Sequence, residues 1–444
     1  MNKDSALELG KILEPHTITG RILLSIFGLG ILSIVIQGLR HISPAPIGDE
    51  YFYVQFAQNI PKNGLYYEMV HGNPIGYSLV LYFFSKIGLS VLTAGRVLSL
   101  LATIVVFAEL CVIGRKYFHL SRQYLILAIL TSLFGIVTSG NYIYVASDDM
   151  YYTAFFIWIA VYLWKSIDTF DWRKFAIAGA LLSCTLLIRP LALFIFPVCL
   201  MAIIYSAYFT HRKLSKKAIP ILAYISAFGL FFILQQAPSL VKNGRIALEN
   251  KIPDSVGTRV NWVQKNELTR ILKERGEKLD EGQLASWKQC KQYLDIHGNN
   301  SLPSNVVERF FRKPIRSLKY AIIGSCKIFY ILLRHTGFVF LFLVLFLIRP
   351  SFISDRKIAF FEAFCISYLA LYVFNNQDHV EIRQLIIPII FITFSGVSLL
   401  QTMYKDGNKY AGVLSFVQLC ALLFILLLDL GFYFLRTADW IYYC

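Results

Sequence analysis

Ile22-Leu23-Leu24-Ser25-Ile26-Phe27-Gly28-Leu29-Gly30-Ile31-Leu32-Ser33-Ile34-Val35-Ile36-Gln37-Gly38-Leu39 carries no charge, and Pro46-Ile47-Gly48-Asp49-Glu50-Tyr51-Phe52-Tyr53 follows a few residues later. An uncharged apolar run of roughly 18 residues is long enough to enter a bilayer as a helix. Two adjacent carboxylates therefore stand at the mouth of a membrane span, where charge is expensive. Similar runs recur along the chain. Of its 444 residues, 56% are hydrophobic and 16% are charged; a soluble domain carries about 25% charged residues. The pattern predicts an all-α polytopic membrane protein with about 11 transmembrane helices. The first run reads as a signal anchor that is not cleaved, since no small-residue cleavage site follows it.

The net charge of +16 does not indicate a nucleic-acid partner. The basic residues cluster in short loops, at 114–122, 165–174, 211–217, 349–357 and 404–409, which is the positive-inside pattern. The amino terminus is then cytoplasmic. Spans are expected at about 21–39, 91–113, 123–138, 150–164, a tight pair broken at Arg189-Pro190, 218–236, 320–348, 358–374, 384–400 and 410–434. Three regions follow: an N-terminal transmembrane catalytic module, 1–237; an extracytoplasmic loop or small domain, 238–319, between spans 7 and 8; and a C-terminal transmembrane module, 320–444. The first outer loop, 41–90, has helical apolar spacing at 50–60 and 74–87, as interfacial helices would. The second outer loop is 141–149. Eight scattered cysteines signal neither a disulfide framework nor a zinc site.

This topology sends Asp49, Glu50, Glu68, His71, Asp148, Asp149, Arg189, Asp378, His379, Glu381 and Arg383 to the outer face, while the inner loops are basic without such mixtures. Taken singly, each has an ordinary explanation. Asp49-Glu50 and Ser147-Asp148-Asp149 suit helix starts, with Ser147 as a cap. Arg189 suits an interface anchor. His379, Glu381 and Arg383 suit a solvated loop. Together they suit transfer chemistry on a lipid-linked phosphate. A carboxylate takes a proton from an acceptor hydroxyl, arginines hold a leaving phosphate, and paired acids can hold a divalent cation, Mg²⁺ or Mn²⁺, with Asp148 or Asp149 as the ligand.

Gly48-Asp49-Glu50-Tyr51-Phe52-Tyr53, His71-Gly72-Asn73-Pro74-Ile75-Gly76-Tyr77 and Gly95-Arg96-Val97-Leu98-Ser99-Leu100 occur in that order. Later come Leu187-Ile188-Arg189-Pro190, the basic stretch from Lys313-Pro314 to Tyr330, and Glu381-Ile382-Arg383-Gln384-Leu385-Ile386-Ile387-Pro388. This order resembles the polyprenyl-phosphate-dependent membrane glycosyltransferases of the C-type superfamily. Protein O-mannosyltransferases and aminoarabinose lipid A transferases are the nearest in pattern. The resemblance implies Asp49 as catalytic base or acceptor-orienting group with Glu50 beside it, and Asp148 or Asp149 at the acceptor or a metal. Some relatives carry a lysine immediately before the first-loop proline. Here Asn73 stands there, so His71, Arg189 and Arg383 are the candidates to bind the donor phosphate, with Glu68, His379 and Glu381 secondary.

The implied partners are a polyprenyl-phosphate sugar donor, membrane lipid, and a glycan, lipid or protein acceptor, at a site facing outside a bacterial inner membrane. Two other classes stay open: a transporter or flippase of lipid-linked sugars, and a non-catalytic scaffold of a glycan assembly complex. The transporter class predicts charges in mid-span and paired halves with similar broken helices. From the sequence, the charges gather at one end and no halves repeat.

Overall fold

In hydrocarbon every backbone N–H and C=O must find its partner within the protein, so long apolar segments fold as helices. The computed structural model describes residues 17–40, 44–46, 50–71, 75–138, 143, 145–167, 169–189, 191–208, 214–244, 246, 260–280, 284–349, 355–376, 380–408 and 410–435, and contains no strand among them. In chain order the helices are α1 (Ile18–Arg40), α2 (Glu50–Asn63), α3 (Leu65–His71), α4 (Ile75–Lys86), α5 (Val91–Lys116), α6 (Arg122–Thr138), α7 (Asp149–Ile167), α8 (Trp172–Cys184) and α9 (Leu191–Tyr208). They continue with α10 (Leu214–Asn243), α11 (Trp262–Arg275), α12 (Trp287–His297), α13 (Val306–Arg312), α14 (Pro314–Thr336), α15 (Phe340–Ile348), α16 (Arg356–Asn376), α17 (Ile386–Lys405) and α18 (Ala411–Leu435).

Six segments among the described residues are long and apolar enough to cross a membrane: Ile18–Arg40, Val91–Lys116, Ala218–Lys242, Pro314–Ile348, Ile382–Lys405 and Ala411–Leu430. Three shorter apolar helices cover Arg122–Thr138, Ala192–Tyr205 and Ile358–Phe374. Every expected span coincides with helix, and among the described residues six segments reach spanning length and apolarity, against about eleven expected. The chain divides into two units. One holds 1–249, 331–369 and 381–444; the other holds 250–330 and 370–380.

Three expected boundaries differ, each for a local reason. The seventh span does not stop before Pro238, because α10 runs through Pro220 and Pro238 to Asn243. Its stop is Gly244, whose φ of +65° only glycine adopts easily. The Gly244 N–H closes on the Leu240 carbonyl. The eighth span is not one helix. It breaks at Gly337, φ +64°, where the Gln418 side chain donates to Thr336 O at 2.8 Å and accepts from Val339 N at 3.2 Å. The first outer loop also holds a third helix, α3, after Gly64 at φ +80°.

In the first unit, α8 packs closely along α10. A β-carbon on Gly179 would fall on the Tyr224 carbonyl oxygen, a backbone atom that cannot swing aside. On the same α10, Gly229 has nothing within 4 Å of such a β-carbon. Gly179→Ala is therefore expected to lower stability by about 1–3 kcal/mol through overpacking. Gly229→Ala should be neutral or raise it by up to about 1 kcal/mol through helix propensity. Thermal unfolding of both variants in one detergent checks the opposite signs; equal melting would show that α8 and α10 are not in this contact.

The second unit has its own small core of Val260, Leu268, Leu272, Ala285, Trp287, Cys290, Leu294 and Leu302. Its helices begin on reciprocal capping boxes, Asn261 with Gln264 for α11 and Ser286 with Gln289 for α12. The Lys265 ammonium sits beside the edge-on Trp262–Trp287 pair, 5.0 and 4.7 Å from the ring centroids. Contact with both rings offsets part of the cost of burying that charge.

Candidate functional site

Five segments of the first unit meet at their helix ends. Ser90 caps α5 by accepting from the Thr93 N–H, which places Arg96 in the second turn. The Arg96 guanidinium grips Glu50 with two hydrogen bonds, Nε to Oε1 at 3.1 Å and Nη2 to Oε2 at 3.0 Å. Glu50 opens α2 and is fully buried, 0% exposed. It also accepts from the Ala146 N–H at 2.6 Å. One helical turn beyond Arg96, the Ser99 hydroxyl donates to Val145 O at 2.7 Å, with Ser147 O also near at 3.2 Å. A β-carbon on Gly95 would land on that of Ala146, so the approach of α5 to the 145–147 segment requires glycine. Together Glu50, Arg96, Gly95 and Ser99 fasten that segment just ahead of α7.

Asp148 and Asp149 emerge from this fastening, both 2% exposed. The 3₁₀ turn 185–187 ends α8 and sets Arg189 against them. Arg189 Nη1 pairs directly with Asp149 and lies 3.4 Å from Asp148 Oδ1. Arg383, ahead of α17, brings Nη1 to 3.8 Å from Asp149 Oδ2 and donates from Nε to Glu381 at 2.8 Å. Gln384 also donates to Glu381, at 3.0 Å. The acids are buried, whereas the side chains of Arg189 and Arg383 keep 12% and 17% of their surface. Carboxylates held beneath two partly open guanidinium groups can orient them toward an incoming anion.

Three tyrosines line the same region. Tyr53 meets Tyr77 edge-on at 5.0 Å between centroids, and Tyr77 meets Tyr151 at 5.8 Å. The Tyr77 hydroxyl donates to Gly95 O at 3.3 Å. Burial, opposed by the neighbouring Ser99 hydroxyl and reinforced by the Asp148, Asp149 and Glu50 carboxylates, pushes its phenol far above the usual range. Tyr77 thus stays a protonated donor at any physiological pH.

The structure brings together Glu50, Asp148, Asp149, Arg189, Glu381 and Arg383 from the expected set. Asp49, Asp378, His379 and the side chains of Glu68 and His71 lie outside the described residues. Ser147 is not the cap its position suggested: its buried hydroxyl has no hydrogen-bond partner among the described residues. Arg96 and Ser99 were missed as site residues because they lie inside an apolar run, although a lone arginine in a span is itself a functional signal. Nor do all charges gather at one end. Glu109 and Glu362 are buried within α5 and α16, and Arg334 of α14 pairs with Asp429 of α18.

The acids at Asp148 and Asp149 already face two guanidinium groups. Among the described residues no three His, Cys, Asp or Glu side chains converge as metal ligands. The donor set fits arginine partners better than a divalent cation. The chain matches no protein-family model and no curated protein.

Proposed function

We propose that the protein is an integral membrane glycosyltransferase that moves a sugar from a polyprenyl-phosphate donor to an acceptor outside the cytoplasm. The observation carrying this reading is the convergence of Arg189 and Arg383 on the buried Asp149. In this mechanism the acceptor oxygen bonds to the anomeric carbon as the carbon–oxygen bond to phosphate breaks, and the configuration inverts. The electron pair departs on the lipid phosphate, where Arg189 and Arg383 stabilise it. Preorganised charge of this kind is commonly the largest catalytic contribution. The acceptor proton passes to Asp49. Glu50, its lone pairs engaged by Arg96 and Ala146, positions rather than reacts. The membrane is a bacterial inner membrane, and the acceptor is a glycolipid, polysaccharide or protein.

The test offers radiolabelled polyprenyl-phosphate sugars, with membrane extract as acceptor, to the purified protein and its Asp49→Asn variant. The parent should transfer label and the variant should lose about 100-fold or more, the scale of acid–base catalysis. An unimpaired variant would move the base elsewhere.

A second reading has one observation in its favour. Arg334 and Asp429 pair within α14 and α18, and charges inside spans suit a transporter of lipid-linked sugar. A parent that binds donor but transfers nothing, and that carries it across vesicles, would support this reading.

A further inference from the structure

The Gln384 carbonyl lies where the chain turns from the 3₁₀ segment Ile382–Leu385 into α17. In a continuing helix it would accept from the N–H four residues on. That residue is Pro388, which has no N–H. Tyr368 of α16 supplies a donor: its hydroxyl bonds to the Gln384 carbonyl. The tyrosine ring is held on two sides. It is fully buried, edge-on to Phe194 at 5.4 Å between centroids and tilted against Phe364 at 6.1 Å. One turn earlier on α16, the Cys365 thiol donates to Pro388 O at 3.9 Å. This face of α16 therefore runs along residues 384–388.

From Gln384 the bonds lead into the site. Gln384 Nε2 and Arg383 Nε donate to the same oxygen, Glu381 Oε2, at 3.0 and 2.8 Å. Arg383 is thus fixed by its inner nitrogen, and Nη1 stands 3.8 Å from Asp149 Oδ2. We propose that Tyr368 is a positioning residue for Arg383: it holds the turn that aims the terminal guanidinium nitrogens at the donor's phosphate. The identity of that anion rests on the glycosyltransferase reading; the hold on the turn does not. Tyr368 acts through Gln384, Glu381 and Arg383. A guanidinium displaced by about 1 Å gives up much of what a preorganised charge supplies.

The test compares the parent with Tyr368→Phe, Pro388→Ala and the double variant, all as purified full-length protein in detergent. Two quantities are measured: amide hydrogen exchange of residues 381–386, and binding of a short-chain polyprenyl phosphate with the matching polyprenol as control. Tyr368→Phe removes the donor to a buried carbonyl. Exchange of 381–386 should quicken, and binding of the phosphate lipid should weaken about tenfold, the scale of one buried acceptor left unpaired. Polyprenol binding should not change. Pro388→Ala alone should behave as the parent, since Tyr368 still donates. The double variant should recover both quantities, because alanine at 388 brings an N–H to the carbonyl. A general loss of packing would not be repaired by a second substitution in the core. Three results each overturn the proposal: unchanged exchange in Tyr368→Phe, equal weakening of polyprenol and polyprenyl phosphate, or a double variant no better than Tyr368→Phe. A parent that binds no phosphate lipid overturns the donor reading instead, and exchange with its rescue then decides for or against the hold on the turn.

Discussion

Arg189→Ala should be among the most damaging single substitutions in the chain, with an expected loss of about 3–5 kcal/mol. Asp148 and Asp149 are both 2% exposed, and Arg189 is the cation in direct contact with Asp149. Removing it leaves two adjacent buried carboxylates with Arg383, 3.8 Å from one of their oxygens, as the described remaining counter-charge. An uncompensated buried charge costs far more than an intact pair contributes. Arg189→Lys should recover part of the loss, since it restores charge but cannot bond both acids in one plane. Adding Asp148→Asn and Asp149→Asn to Arg189→Ala should recover more, because no stranded charge remains. Thermal unfolding in detergent and yield of monodisperse protein are the readouts. A single Arg189→Ala variant that melts like the parent would show that the acids are not buried against this arginine. Transfer activity should be lost in both variants with alanine at 189, including the stabilised triple one, because the phosphate-holding cation is gone.

Much of this arrangement was legible in the sequence, and the reason is chemical. Asp148, Asp149, Arg189 and Arg383 are charges beside long apolar runs, and charge at a membrane boundary has few places to go. Helix positions were legible for the same reason: the runs are long, and hydrocarbon leaves the backbone few alternatives. What could not be read depends on partners remote in sequence. Gly337 breaks α14 from α15 with Gln418 bonded across the gap, a pairing 79 residues apart from Val339. In the sequence Glu50 is only the acidic neighbour of Asp49. That Glu50 is taken into the interior depends on Arg96, 46 residues on. Proline misled where glycine decided, because Pro238 lies within α10 and Gly244 ends it.

Arg96→Ala is expected to cost about 3–5 kcal/mol, again by stranding a buried carboxylate. Glu50 is 0% exposed and would keep only the Ala146 N–H of the bonds described here. Glu50→Gln should cost less, about 1–2 kcal/mol, since the amide oxygen still accepts from Ala146 and Arg96 retains some surface. This asymmetry follows from which partner is buried more deeply. The activity readout separates two roles for Glu50. If it fastens the 145–149 segment, both variants should displace Asp148 and Asp149, and a displacement of about 1 Å can cost about 100-fold in rate. Replacing the pair by apolar side chains, Glu50→Leu with Arg96→Met, should then restore stability and much of the rate, because a well-packed apolar contact can hold two segments as firmly as a buried ion pair. If Glu50 is itself the proton acceptor, leucine cannot substitute for it. The double variant would then fold like the parent and transfer nothing. Melting temperature and kcat, measured on the same four proteins, distinguish a carboxylate that holds the site together from one that reacts in it.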